Sequence, residues 1–173
     1  MALRVEQLRI VHYPSAVLRT PAKPIDQVTE EVRAVAHRML TLMHEARGVG
    51  LAAPQVGLSW RLFVVNATGE PGDDRIFINP VLADPSPETH VREEGCLSIP
   101  GVHADITRPI AITIHALDER GERFSLTSND LDARVWQHEM DHLDGVLILD
   151  RMPPMERLAN RRAIRELEDA RGA

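Results

Sequence analysis

The sequence predicts one α+β domain, with small and mostly antiparallel sheets packed around a central helix and a further helix near the C-terminal end. Its 173 residues, of which 43% are hydrophobic, can bury one core without disulfides. One stretch repeats apolar residues at the helical period, and short β-type runs lie between turn signals. Since no repeat, low-complexity tract or linker interrupts them, we expect residues 1–173 to form a single domain.

The first predicted helix follows a turn-rich stretch that contains Pro14, Pro21 and Pro24. Asp26 can cap this helix, and we expect it to reach about Ala46. Its apolar positions form one stripe, which predicts a face packed on the core. The stripe consists of Val32, Val35, Ala36, Met39, Leu40 and Met43.

Four short runs in the middle of the chain are rich in β-branched and other apolar residues and are predicted strands. They cover residues 62–65, 76–78, 110–116 and 124–126. The sequence Asp-Glu-Arg-Gly at residues 118–121 separates the last two, and it predicts a hairpin turn.

The most distinctive helix is predicted to begin after Asn129 or Asp130, either of which can cap it. It carries the HExxH pattern of residues 138–142. Side chains four residues apart project from one helical face, so His138 and His142 can bind a single metal ion. Glu139 lies close enough to transfer a proton of a water at that metal without being a ligand.

Gly145 is expected to end this helix, and residues 146–149 look like one more strand. After two prolines, residues 155–170 are predicted to form the C-terminal helix. Its basic residues predict an exposed charged face in a chain of net charge −6. They are Arg157, Arg161, Arg162 and Arg165.

Composition excludes several classes of function. The net charge of −6 and the 3% of aromatic residues disfavour broad binding of nucleic acid. No apolar run is long enough to span a membrane, and the first residues do not resemble a signal peptide. The sequence contains no glycine-rich phosphate-binding motif, so no nucleotide cofactor is expected. A single cysteine fits a reducing cytoplasm.

Two histidines need a third ligand, and the sequence offers two directions for it. A typical zinc protease takes a downstream Glu or His, but no Glu after His142 stands at a clear spacing. Upstream, the sequence EGCLS at residues 94–98 contains Cys96, the only thiol. Taken alone, Cys96 could be a small buried core residue. A Cys/His/His set would leave one open position, which indicates a catalytic rather than a structural site.

The glycine-rich sequence GVGLAAPQ at residues 48–55 allows two interpretations. The simpler is a turn that ends the preceding helix. Alternatively, the side-chain amide of Gln55 could donate a hydrogen bond to a developing oxyanion.

Together GVGLAAPQ, EGCLS and the QHEMDH of residues 137–142 resemble the peptide deformylase family, over about Leu8 to Met152. The segment YPSAVLR at residues 13–19 is similar to a family pattern that usually has Asp-Pro in place of Ser15-Ala16. The resemblance implies a metal-dependent hydrolase of protein biosynthesis. Its substrate would be the N-terminal formylmethionine of a newly synthesised polypeptide, and formate would be released.

The resemblance also implies a role for each residue of the site. A divalent metal, with Fe²⁺ favoured over Zn²⁺, Ni²⁺ or Co²⁺, would be held by Cys96, His138 and His142. Glu139 would pass the proton of the attacking water to the leaving amine. The implied catalytic residues are Glu139, Gln55, Leu97 through its backbone N–H, and Gly50.

An apolar slot for the methionine side chain is the implied specificity site. Its walls would be Val49, Gly50, Leu131, Arg134 and Val135. Leu131 and Val135 could instead simply pack against the sheet.

Glu94 is also placed at the substrate site, and with Arg108 it resembles a family pair that orders the loop of Cys96. A solvated surface charge is the alternative for either residue. Asp141 is expected to support the site or cap the helix rather than to react.

The implied partners are the formylmethionyl nascent peptide and the ribosome, on which the C-terminal helix would dock in a bacterial-type cytoplasm. No membrane partner is expected.

Two other functions remain open at this point. A metallopeptidase would need a downstream third ligand and a wide cleft. A non-catalytic metal- or ribosome-binding module would be favoured by loss of Glu139, Gln55 or Cys96, and all three are present.

Overall fold

A computed structural model describes residues 3–170 and contains two antiparallel sheets and four α-helices. The larger sheet has the strand order β1-β2-β3-β6-β7, and β4 pairs with β5. The strands are β1 (Gly50–Ala52), β2 (Leu62–Val65), β3 (Arg75–Ala83), β4 (Thr89–Gly95), β5 (His103–Pro109), β6 (Ile112–Leu117) and β7 (Arg123–Ser128). The helices are α1 (Glu30–Glu45), α2 (Leu131–Leu143), α3 (Ile148–Arg151) and α4 (Pro154–Asp169).

The predicted α+β fold is confirmed, and α2 is its central helix. It contacts β1, β2 and β3 of the larger sheet and β5 of the smaller one. Asp130 caps its first turn by accepting the Leu131 N–H, and Gly145 follows its C-terminal end with a φ of 74°. This left-handed backbone conformation favours glycine, and it explains why the helix ends here.

Helix α1 packs its predicted stripe on β1, β2 and β3, against Leu51, Val64 and Ile78. The predicted start at Asp26 is wrong, because Thr29 caps the helix and its hydroxyl accepts the N–H of Val32 in the first turn. A short polar side chain at that position satisfies the helix end directly.

The predicted hairpin is confirmed: β6 and β7 pair antiparallel around a turn in which Gly121 donates to Asp118 O. Strands β4 and β5 were not predicted. In β4 only Glu94 is buried, so the strand lacks an apolar alternation. In β5 the buried positions alternate, at Ala104, Ile106 and Arg108, but the third is charged.

The strand predicted at residues 146–149 is wrong, because α3 occupies this part of the chain. The Asp150 carboxylate accepts the Leu147 N–H and stabilises the first turn. Ile148 and Leu149 are buried in a cluster that also receives Ile164 of α4. A short buried apolar run does not by its pattern distinguish a strand from a helical turn.

No helix within residues 3–170 is long and apolar enough to cross a membrane.

Candidate active site

Three side chains from distant parts of the sequence meet beside α2. Cys96 follows the end of β4, whereas His138 and His142 lie on successive turns of α2. One ligand atom from each lies within 4.8 Å of the other two, and Cys96 Sγ is 3.2 Å from His142 Nε2. A thiolate and two imidazoles form a donor set that suits a divalent transition metal and leaves a coordination position open.

The orientation of His138 fits a metal ligand. Its Nδ1 lies 3.0 Å from Glu94 Oε2, so the opposite ring nitrogen remains for a metal. Burial raises the pKa of the Glu94 carboxyl, but hydrogen bonds from Arg108 and His138 outweigh burial and hold that pKa well below its usual range. Glu94 is therefore a carboxylate, the usual partner that fixes the tautomer of a metal-binding histidine.

The surroundings shift the pKa values of the two imidazoles in opposite directions. Burial lowers the pKa of His138, but its hydrogen bonds with Cys96 and Glu94 outweigh burial and hold that pKa well above its usual value. Burial, followed by the charge of His138, holds the pKa of His142 well below its usual value. Metal binding uses the neutral imidazole of both residues.

Glu139 lies beside this cluster with almost no exposed surface. Burial raises the pKa of its carboxyl to about 7. Its Oε2 is buried and accepts no hydrogen bond from any residue between 3 and 170. A buried carboxyl without a partner is costly to maintain, and it is typical of a group that needs a reactant as its partner.

Gly50, in β1, faces Glu139 so closely that no side chain fits between them. A Cβ at this position would lie 2.5 Å from Glu139 Oε1 and 2.9 Å from Val135 Cγ1. Glycine at position 50 is therefore what allows the carboxylate of Glu139 to occupy its place.

Gln55 is fixed in a short 3₁₀ helix, Ala53–Val56, that follows β1. Its Oε1 accepts the Ala52 N–H at 2.9 Å, so its amide nitrogen points the other way. That nitrogen donates to Ser98 Oγ at 3.2 Å and lies 3.5 Å from Cys96 Sγ. The simpler interpretation holds only for Gly48, whose N–H donates to Met43 O at the end of α1. The remainder forms β1 and the 3₁₀ helix that places the Gln55 amide beside Cys96.

A cavity of about 470 Å³ opens over this group and has the size of a small-ligand site. Every site residue named from the sequence lines it except His142. Val49 and Leu131 are 43% and 38% exposed at the mouth, whereas Val135 also packs in a core cluster with Phe63. The walls include His103, which was not expected because β5 was not predicted.

Arg134 is a charged residue at a position that was predicted to form the wall of an apolar slot. Its charge is compensated by neighbouring groups. Its Nη1 donates to Glu94 Oε1 at 2.6 Å and to Ile106 O at 3.1 Å. Its Nη2 donates to His90 O at 3.0 Å. With the terminal nitrogens occupied, the methylenes of the side chain can still contribute apolar wall.

Behind α2, the charges form a connected network rather than a solvated surface. The buried Arg108 donates to both oxygens of Glu94, at 2.6 and 2.9 Å, and to Asp141 Oδ2 at 3.0 Å. Asp141 also accepts two hydrogen bonds from Arg151, so it is not a helix cap. The sequence did not single out Arg151 or Ser98, because their relevance depends on partners distant along the chain.

Comparison with known proteins gives a consistent picture. The family model described as polypeptide deformylase matches residues 7–158. A peptide deformylase of Neisseria meningitidis is 42% identical over 149 residues, which are 86% of this chain and 89% of that protein. The chloroplastic/mitochondrial peptide deformylase 1B of Arabidopsis thaliana is 44% identical over 147 residues, which are 84% of this chain and 54% of that longer protein.

The solved structure of a plant peptide deformylase superimposes with a TM-score of 0.93 at 40% identity. The superposition covers 98% of this chain and 93% of the plant protein's chain.

Proposed function

The chain belongs to the polypeptide deformylase family, and from that premise we propose that it removes the formyl group from the N-terminal formylmethionine of newly synthesised polypeptides. Water hydrolyses the formyl amide, so that formate leaves and the amino group of methionine becomes free. The observation that carries this conclusion is the cluster of Cys96, His138 and His142 at the cavity in which Gln55 and Glu139 converge.

Cys96, His138 and His142 would hold one divalent metal, and we infer that it is Fe²⁺ in the cell. The donor set fits such a metal, and the hydrogen bond between Glu94 and His138 Nδ1 leaves the other ring nitrogen for it. When bound, such a metal supplies a Lewis acid that polarises the formyl group and lowers the pKa of water. The same donors accept Zn²⁺, Ni²⁺ and Co²⁺, and for this reason the metal is varied in the test below.

Gln55 and Leu97 would stabilise the negative charge that develops on the formyl oxygen. The Gln55 amide nitrogen is oriented towards Cys96 by the bond that its own oxygen accepts from Ala52. Leu97 would contribute through its backbone N–H, next to Cys96 in the chain. Each donor of this kind typically lowers a barrier by about 3 kcal/mol.

Glu139 would accept the proton of the attacking water and deliver it to the leaving amine. Its buried, unpartnered Oε2 supports this role, because hydrogen bonds with reactants would satisfy it. Gly50 would act by leaving room for that carboxylate.

The methionine side chain would enter the slot beside the metal ligands. Val49 and Leu131 stand at its mouth, and Val135 and the compensated Arg134 form its wall. Glu94 would serve the slot indirectly, because it neutralises the charge of Arg134.

For the cellular setting we propose the cytoplasm of a bacterial-type cell, with the nascent chain at the ribosome as substrate. The four arginines of α4 are all exposed and would meet ribosomal RNA phosphates. A ribosome-binding measurement with these arginines exchanged for glutamine tests this part separately.

The deciding experiment purifies the protein without oxygen, reconstitutes it with Fe²⁺, Ni²⁺ or Zn²⁺, and presents formyl-Met-Ala-Ser beside the unformylated peptide. We expect formate from the first peptide and no cleavage of internal peptide bonds in either. Absence of formate with every metal would overturn the proposal, and internal cleavage would support a peptidase instead.

A further inference from the structure

We propose that Arg151 is a positioning residue that holds the metal ligand His138 in place through three intervening side chains. The inference rests on the proposed function, since it takes His138 as a metal ligand. Arg151 is the last residue of α3 and does not line the active-site cavity, so it acts without touching substrate.

The first link is Glu94, whose carboxylate accepts hydrogen bonds from three different side chains. His138 Nδ1 lies 3.0 Å from Oε2, while Arg108 and Arg134 bind at 2.6 to 2.9 Å. The orientation of the His138 ring therefore depends on where these arginines hold the carboxylate.

Arg108 is the second link, and it joins the two acidic residues on either side. Its Nε and Nη2 bind Glu94, and its Nη1 binds Asp141 Oδ2 at 3.0 Å. The side chain is only 3% exposed. Because a guanidinium is planar and rigid, a shift of Asp141 at one end is transmitted to Glu94 at the other.

Arg151 fixes Asp141 by a fork that contacts both carboxylate oxygens. Nε donates to Oδ2 at 2.5 Å, and Nη2 donates to Oδ1 at 2.6 Å. Within residues 3–170, Asp141 Oδ1 accepts no other side-chain hydrogen bond. Without Arg151 the carboxylate is free to rotate about its remaining bond to Arg108, and a bidentate pair is the geometry that prevents such rotation.

The network reaches the surface on the side of α2 opposite to the active site. There a second cavity of about 500 Å³ is lined by Arg108, Asp141 and Arg151. The side chain of Arg151 is 43% exposed, so it can be exchanged without opening the core. Its loss should consequently alter the metal site more than the stability of the fold.

The test compares Arg151→Met with Arg19→Met. Arg19 is a matched control, because its side chain is 38% exposed and it pairs with Asp150, the neighbour of Arg151, outside the network. Zn²⁺ affinity of the metal-free proteins is measured by competition with a chromophoric chelator, and Co²⁺-substituted proteins are compared by visible absorption. We expect Arg151→Met to weaken Zn²⁺ binding by about 3- to 10-fold, less than the 10- to 100-fold typical of direct partners of a ligand.

The same substitution should shift the Co²⁺ bands and lower kcat at an unchanged KM, whereas Arg19→Met should leave all these quantities as in the wild type. Once Asp141→Asn is present, Arg151→Met should add nothing further, because both changes break the same path.

Wild-type Zn²⁺ affinity and Co²⁺ spectrum in Arg151→Met, or additive effects in the double variant, would overturn the proposal. If Arg151→Met does not fold, Arg151→Lys replaces it, since lysine keeps the charge but cannot bind both oxygens as a fork, and the same outcomes decide. Metal affinity and spectrum are measured without peptide, so a failure of the deformylase assay does not affect this test.

Discussion

The two sides of α2 carry the same kinds of charged side chain but differ in how they are satisfied. Towards the cavity, Glu139 Oε2 is buried and lacks a hydrogen-bond partner among the described residues. Behind the helix, Arg108 and Arg151 occupy both oxygens of the Asp141 carboxylate. Native proteins rarely leave a buried carboxylate oxygen unpaired, so Glu139 is suited to react, whereas the fully paired Asp141 is suited to support the site.

Exchange of Glu139 for Gln should have the largest effect on the cavity side. Loss of a proton carrier should lower kcat/KM for formyl-Met-Ala-Ser by about 10²- to 10⁴-fold. Stability should not fall, because the substitution removes a buried, unpartnered carboxyl. Formate release and thermal unfolding are the two measurements. An undiminished rate would refute the role of Glu139, and a large loss of stability would remove the contrast between the two sides.

On the opposite side, Arg108→Met should cost stability first. It leaves two buried carboxylates with one fewer counter-charge, and breaking a buried pair typically costs about 3–5 kcal/mol. Urea unfolding of the metal-free protein measures this loss. Arg162→Met is the control, because Arg162 is exposed and pairs with Glu166 outside the network. Equal stability of the two variants would show that the network does not stabilise the fold.

Gln55→Ala should lower kcat by about 10²- to 10³-fold at a similar KM, because it removes a donor that acts on the developing charge. Leu97→Met is the control, since it keeps the backbone N–H that is assigned the same task. Steady-state kinetics with varied peptide concentration separates the two constants. If Gln55→Ala changed KM alone, Gln55 would be a binding residue instead.

Removal of the metal should cost less stability than Arg108→Met, and it should also remove the activity. A metal present at 100 times its dissociation constant stabilises the fold by about 2.7 kcal/mol. Chelation should therefore lower the unfolding temperature of the wild type and abolish formate release, and added metal should restore both. A Cys96→Ala variant should show no stabilisation by metal. If it did, the metal would bind elsewhere.

The sequence predicted the central parts of this arrangement because they depend on local spacing. The HExxH residues are one helical turn apart, and the α1 stripe follows the helical period, so both could be read along the chain. Strand β4 was not predicted, because its one buried residue, Glu94, is charged. The importance of Arg151 arises only when Asp141 and Arg108 are brought together in space, and no pattern of sequence encodes that contact.

The place of Cys96 has a consequence for oxidative damage. The residue is the only cysteine of the chain, it lies among the proposed metal ligands, and it packs against the cluster that receives α4. A sulfenic acid formed there finds no second thiol in the protein with which to condense into a protective disulfide. Oxidation would therefore either be reversed by a thiol from another molecule or proceed to the irreversible acids. One oxidised sulfur atom would be sufficient to inactivate the enzyme.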